Sequence, residues 1–133
     1  MLSHIAATYM ATHQFKDAAT YYQRALQQDP ADVALRTKFA SCLYYQGDVD
    51  GALAQLHQSL KYDPRDANSL FNLGVMLFQG KNDAAGAIEV WQTLLKTYPN
   101  LKRRPIVERL IAEARQTGAT RAAATNDLNA RSQ

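Results

Sequence analysis

The stretch Val33–Arg65, VALRTKFASCLYYQGDVDGALAQLHQSLKYDPR, decides the fold. It holds two apolar-periodic segments, separated by Gln46-Gly47-Asp48 and closed by Asp63-Pro64. Phe39 and Leu43 in the first segment, then Leu53, Leu56 and Leu60 in the second, recur at steps of three and four. That period puts side chains on one stripe of a helix, whereas a half-buried strand alternates at two. Gly47-Asp48 breaks the pattern and offers a short acceptor for the free N–H groups of the helix that follows. Proline has no N–H to donate and its ring clashes with the preceding turn, so Pro64 closes the second segment. The stretch reads as a pair of antiparallel helices, A then B.

The same unit lies on both sides of it. Pro30 and Pro64 are 34 residues apart, and Pro99 follows 35 later. Ala18, Ala52 and Ala87 step in the same way, as do Tyr22, Leu56 and Trp91, while Ala6, Ala40 and Gly74 step at 34 and 34. Several registers sharing one step mark a repeat array. The additional residue falls between Gly74 and Ala87, and the turn Gln79-Gly80-Lys81-Asn82-Asp83 is its expected place. Helix A and helix B are expected over 2–13 and 15–27, 32–46 and 49–61, and 66–79 and 84–97. The small residues recur mid-way along A and in the first turns of B. Glycine inside a helix costs about 1 kcal/mol relative to alanine, so Gly74 makes sense where a neighbour comes too close for a side chain.

These residues resemble the tetratricopeptide repeat family. Its pattern reads here as Ile5, Ala6, Tyr9, Ala18, Tyr22, Ala25, Pro30, then Phe39, Ala40, Leu43, Ala52, Leu56, Ser59, Pro64, then Leu73, Gly74, Leu77, Ala87, Trp91, Leu94, Pro99. Ser59 and Leu94 depart from the small apolar residue of the pattern. The resemblance implies an all-α, right-handed α-α superhelix with the A helices lining a concave face. Repeats are expected over about 1–32, 33–66 and 67–101, in a domain spanning 1–117. Beyond Pro99, Pro105 suits a first helical position, and Ile106, Leu110, Ile111 and Ala114 form one stripe. A seventh, capping helix is expected over about 104–117, packed near Trp91 and Leu95 and ended by Gly118. Residues 118–133 are poor in large apolar residues and read as a mobile polar tail. Met1 starts inside the first A helix, so the edge bearing Leu2 and Ile5 suggests a module cut from a longer array, or an edge that self-associates.

The chain of 133 residues is one domain's worth. Its net charge of +3 is unevenly placed. Residues 1–100 hold 8 basic against 9 acidic residues, and residues 101–133 hold 7 against 3. The repeat body therefore carries no basic stripe, and no nucleic-acid partner is expected. A single cysteine, Cys42, excludes an internal disulfide framework. No apolar run is long enough for membrane insertion or a signal peptide. A cytoplasmic setting is expected. The ending AIEVWQTLLKTYPN with the later IAEARQ also resembles bacterial repeat proteins of envelope assembly, including cytochrome c maturation factors, which implies the periplasm as the alternative.

Chemistry is expected to be absent. His4, His13 and His57 are scattered without ligand spacing, and Cys42 has no partner at ligand spacing. Asp48-Val49-Asp50-Gly51 lacks the spacing and closing glutamate of a calcium loop, and Gly80-Lys81 lacks the lead of a phosphate loop. No catalytic set, metal or cofactor follows. Lys102-Arg103-Arg104 is a basic run that suits either solvent or an acidic partner. What remains is the inner face that the resemblance implies. By register, Met10, Tyr44 and Phe78 form one ladder, Ser3, Thr37 and Phe71 a second, and Ala7, Ser41 and Val75 a third. His4, Lys38 and Asn72 stand beside them, with Tyr45 and Asn68 at the edges. Aromatic residues are enriched among binding anchors. The expected function is a protein–protein interaction scaffold taking a peptide or helical segment of a protein partner, with Lys38, Asn68 and Asn72 bonding the ligand backbone. Some family members grip a terminal carboxylate through paired cations; only Lys38 and Asn72 are plausible remnants here, so that clamp is not expected.

Overall fold

The computed structural model describes residues 1–132, with side chains described as far as Gly118. Helices α1 (Leu2–Ala11) and α2 (Phe15–Gln28) form the first hairpin, and α3 (Val33–Tyr45) and α4 (Val49–Tyr62) the second. In the third, α5 (Ala67–Val75) continues into a π-helical turn (Met76–Gly80) and pairs with α6 (Ala84–Thr97). The last helix, α7, spans Arg104–Ser132.

Aspartates start the four helices α3 to α6. Asp32, Asp48, Asp66 and Asp83 each accept a hydrogen bond from the backbone N–H three residues on, at 2.9–3.0 Å. Each satisfies one of the donors that a helix leaves free at its start. The sequence-based expectation for Asp48 holds. The residue before each B helix's cap sits in the left-handed region: His13 at φ 59°, Gly47 at 97° and Asn82 at 55°. Glycine adopts that conformation freely and asparagine tolerates it.

The principal contacts run in chain order, each helix on the next, with α3 also touching α5. Three apolar clusters follow one another. The first joins Ala6, Ala18 and Tyr22 to Leu35, Phe39 and Cys42. The second holds Ala40, Ala52, Leu56, Leu73 and Met76. The third gathers Leu70, Ala87, Trp91 and Leu94 with Val107, Ile111 and Ala114 of α7. This is the quasi-linear packing of a solenoid, in which each unit buries its face on its neighbours. Gly74 behaves as expected. A Cβ built on it would lie 2.1 Å from Trp91 Nε1, so the obstacle is an indole edge.

Three expectations need correction. The additional residue of the third repeat lies between Leu77 and Asp83, overlapping the expected turn Gln79–Asp83, but it is taken up by the π turn Met76–Gly80 rather than by a longer loop. The hairpin-closing bonds show this: Gln14 N–H reaches Tyr9 O and Asp48 N–H reaches Leu43 O, each across five residues, while Asp83 N–H reaches Leu77 O across six. A π turn takes in a residue while keeping backbone bonds. Second, α7 does not end at Gly118 but runs on to Ser132. One glycine costs only about 1 kcal/mol, and the alanine-rich segment after it favours helix. The expected mobility of the tail concerns side chains that lie outside the described residues. Third, Ile106 is 43% exposed and Val107 takes the core position, because 107, 111 and 114 share one stripe that 106 misses by about 100° of helix rotation.

Ser59 occupies the position held by Ala25 and Leu94 in the other repeats. It is fully buried, and its hydroxyl has no hydrogen-bond partner among the described residues. An unsatisfied buried group costs about 1–3 kcal/mol. Ser59→Ala is therefore expected to stabilise the protein by about 1 kcal/mol, read as a higher urea midpoint at unchanged slope. A lower midpoint would contradict it.

Candidate docking groove

Helices α3 and α5 lie side by side, and the side chains between them define the candidate site. Ser41, Tyr44 and Tyr45 from the end of α3 meet Asn72 and Val75 of α5, with Met76 and Gln79 of the π turn, around a cavity of about 120 Å³. Five of these were expected from register. Met76 and Gln79 were not: Met76 holds the register of the buried Cys42, and Gln79 lies within the π turn. The apolar part of the wall is two tyrosines, a valine and a methionine. The polar part is a hydroxyl and two carboxamides, which can donate and accept.

The wall is held from behind. Tyr45, 62% exposed, stacks on Phe15 with ring centroids 5.5 Å apart, and Tyr44 meets it edge-on at 5.9 Å. Gly80 brings the π turn against the second hairpin: a Cβ there would lie 2.8 Å from Val49 Cγ1 and 3.1 Å from the Tyr44 ring. The turn's exposed end is tied by an ion pair between Lys81 and Asp50.

The other expected residues divide. Phe78 turns away and packs edge-on against Trp91, with centroids 6.1 Å apart. The π turn shifts the angular register after Met76, so Phe78 no longer follows Tyr44. Met10 is half-buried and packs on the first cluster. The ladder Met10–Tyr44–Phe78 is thus not continuous. Thr37 is no groove residue at all: it is buried, bonds the Val33 carbonyl at 2.9 Å, and shares a 3.2 Å hydrogen bond with Ser69 Oγ. A hydroxyl at that register is short enough to seal the α3–α5 seam. Lys38 is exposed. Asn68 and Phe71 line a separate cavity of about 270 Å³ with Ala67, Leu94, Leu101, Lys102 and Arg103. Cys42 is buried and donates to the Phe15 carbonyl, and burial pushes its thiol above the ordinary range. A reactive thiolate needs the opposite setting, exposed and electropositive.

Nested helical hairpins with small residues at the crossings and a groove between successive A helices define a helical-repeat solenoid. Tetratricopeptide repeat profiles match residues 9–73 and 68–101, and the chain belongs to that family. Among curated proteins it is 30% identical to mouse trafficking protein particle complex subunit 12 over 79 residues, which is 57% of this chain and 10% of that protein. It is 28% identical to the cytochrome c-type biogenesis protein CycH of Pseudomonas aeruginosa over 99 residues, 72% of this chain and 24% of CycH. The chain thus spans a quarter or less of these relatives. Among solved structures, the Sgt2 TPR domain from Aspergillus fumigatus superposes with a TM-score of 0.80 at 18% identity, covering 92% of this chain and 80% of that one. The Yersinia enterocolitica secretion chaperone SycD, in complex with a peptide of the translocator YopD, gives 0.79 at 16%, covering 88% and 92%. The first TPR of Spaghetti (RPAP3), bound to an HSP90 peptide, gives 0.78 at 16%, covering 89% and 90%. At these identities the likeness concerns the fold.

Proposed function

We propose that the protein is an interaction scaffold that takes a peptide or helical segment of a partner protein in the groove between α3 and α5. The observation that carries this is the cavity itself, where Tyr44, Tyr45 and Val75 offer apolar surface beside the Ser41, Asn72 and Gln79 polar groups. Binding sites commonly combine an apolar lining with a few converging polar groups. Two of the structures sharing this fold, SycD and RPAP3, hold peptides. The test is selection of displayed random dodecamers on the protein, followed by titration of the enriched peptides. Tyr45→Ala with Asn72→Ala is expected to weaken them about 30-fold, the loss of an aromatic anchor worth about 2 kcal/mol. Unchanged affinity, in a variant with unchanged helical circular dichroism, would remove the groove from the function.

A second reading is favoured by the CycH match, which covers most of this chain. In it, the scaffold serves cytochrome c-type biogenesis. Deleting the gene in its host should then lower covalently bound haem in c-type cytochromes, and unaltered content would dismiss it.

A further inference from the structure

We propose that the second cavity on α5 is a specificity pocket for an acidic side chain flanked by a bulky apolar one in the partner segment. The inference rests on the peptide-binding reading above. The cavity opens where α5, the end of α6 and the lead into α7 meet. Phe71, Leu94 and Leu101 make its apolar walls, and Asn68, Lys102 and Arg103 bring polar groups to it.

Its charge is unspent. Two ion pairs occur among the described residues, Lys81–Asp50 and Arg104–Glu108. Arg104 is therefore neutralised by its own helix and also donates to the Pro99 carbonyl. Lys102 and Arg103, next to it in sequence, are exposed and lack an acidic partner among those residues. Asp66, the carboxylate nearest in sequence to Asn68, is occupied with the Ser69 N–H and hydroxyl. The Arg103 guanidinium lies over the Phe71 ring, 5.3 Å from its centroid. Stacking of this kind orients the planar group and leaves its edge donors for a carboxylate. A carboxylate bound by two cations beside an apolar floor is held more tightly than in open water, because the floor lowers the local dielectric.

The preceding junction shows why the cavity exists. There the residues 34 and 35 positions earlier than Phe71 and Leu94 are Thr37 and Ser59. Thr37 bonds Ser69 and both are buried, so that seam is shut. Phe71 cannot make that bond. It accepts a cation on its face instead, and the junction stays open.

The same dodecamer selection tests this, run in parallel on wild type, on Lys102→Gln with Arg103→Gln, and on Tyr45→Ala with Asn72→Ala. Both cations are exposed, so the charge variant should keep its circular dichroism. Wild-type peptides are expected to carry Asp or Glu within two residues of a large apolar residue. The charge variant should lose that enrichment and bind the acidic peptides at least tenfold more weakly. Peptides without acid enrichment, or acidic peptides indifferent to the charge variant, would overturn the pocket. If they still weaken with the Tyr45 and Asn72 pair, the groove reading survives. Peptides indifferent to both variants, or no enrichment on wild type, would overturn both.

Discussion

Trp91→Ala is expected to destabilise the protein by about 3–5 kcal/mol, the range for truncating a fully buried large aromatic. Trp91 has no exposed surface and is the largest fully buried side chain. Its indole N–H donates to the Phe71 carbonyl at 3.2 Å, and its ring takes the edge contact with Phe78. Removing it opens a void and leaves that carbonyl without this donor. The consequence is regional because of the packing order. Helix α6 stands between α5 and α7, and its cluster includes Val107, Ile111 and Ala114 of α7. In a solenoid, stability is close to a sum of unit and interface terms. The loss should therefore fall on the third hairpin and α7, with amide exchange accelerating there before it does in α1–α4. The check is urea unfolding by circular dichroism combined with exchange. A cost under about 1 kcal/mol, outside the range for such truncations, or uniform acceleration, would contradict it.

The hairpins were legible because each rests on a local physical rule repeated in phase. Period-three-and-four stripes, aspartate caps and prolines fall at matching positions, so one repeat's reading is checked by the next. The small residues at 6, 40 and 74 were legible for the same reason. What register cannot carry is angle. The shift of one residue between Gly74 and Ala87 was visible, yet a loop insertion and a π turn have the same length in sequence. Only the second re-aims Phe78 onto Trp91 and sends Gln79 to the groove. Thr37 failed for a different reason. Its register points it to the inner face, but a small hydroxyl on α3 found Ser69 on α5, a pairing between residues 32 apart that no periodicity announces. The end of α7 was misjudged because the run after Gly118, though alanine-rich, was read from its lack of large apolar residues rather than from its helix propensity.

The two candidate cavities follow from those same departures. At the Thr37–Ser69 seam, the first halves of α3 and α5 close on one another. These two cavities stand where the third repeat breaks the pattern: at the π turn, and where Phe71 and Leu94 replace the hydroxyls.

Gly74→Ala gives the sharpest test of the crossing itself. Alanine is the better helix former by about 1 kcal/mol, so propensity alone predicts stabilisation. Packing predicts the reverse. The new methyl would sit 2.1 Å from Trp91 Nε1 and 2.4 Å from the ring carbon beside it. The indole cannot simply swing aside, because it is fully buried and tied to the Phe71 carbonyl. Overpacking costs about 1–3 kcal/mol or more, and a contact this short against a fixed ring belongs at the upper end, so net destabilisation of about 1–2 kcal/mol is expected. Ala40 marks the contrast: at the same register in the second hairpin it shares its cluster with Leu56, and a methyl fits. The cause is isolated by a double-mutant cycle. In the Trp91→Ala background the added methyl meets no ring and partly fills the void, so Gly74→Ala there should be neutral or stabilising. The two substitutions are then coupled by about 2–3 kcal/mol, within the range measured for residues in contact. Effects additive to within about 0.5 kcal/mol, as for distant sites, would show that the indole is not what excludes a side chain at position 74.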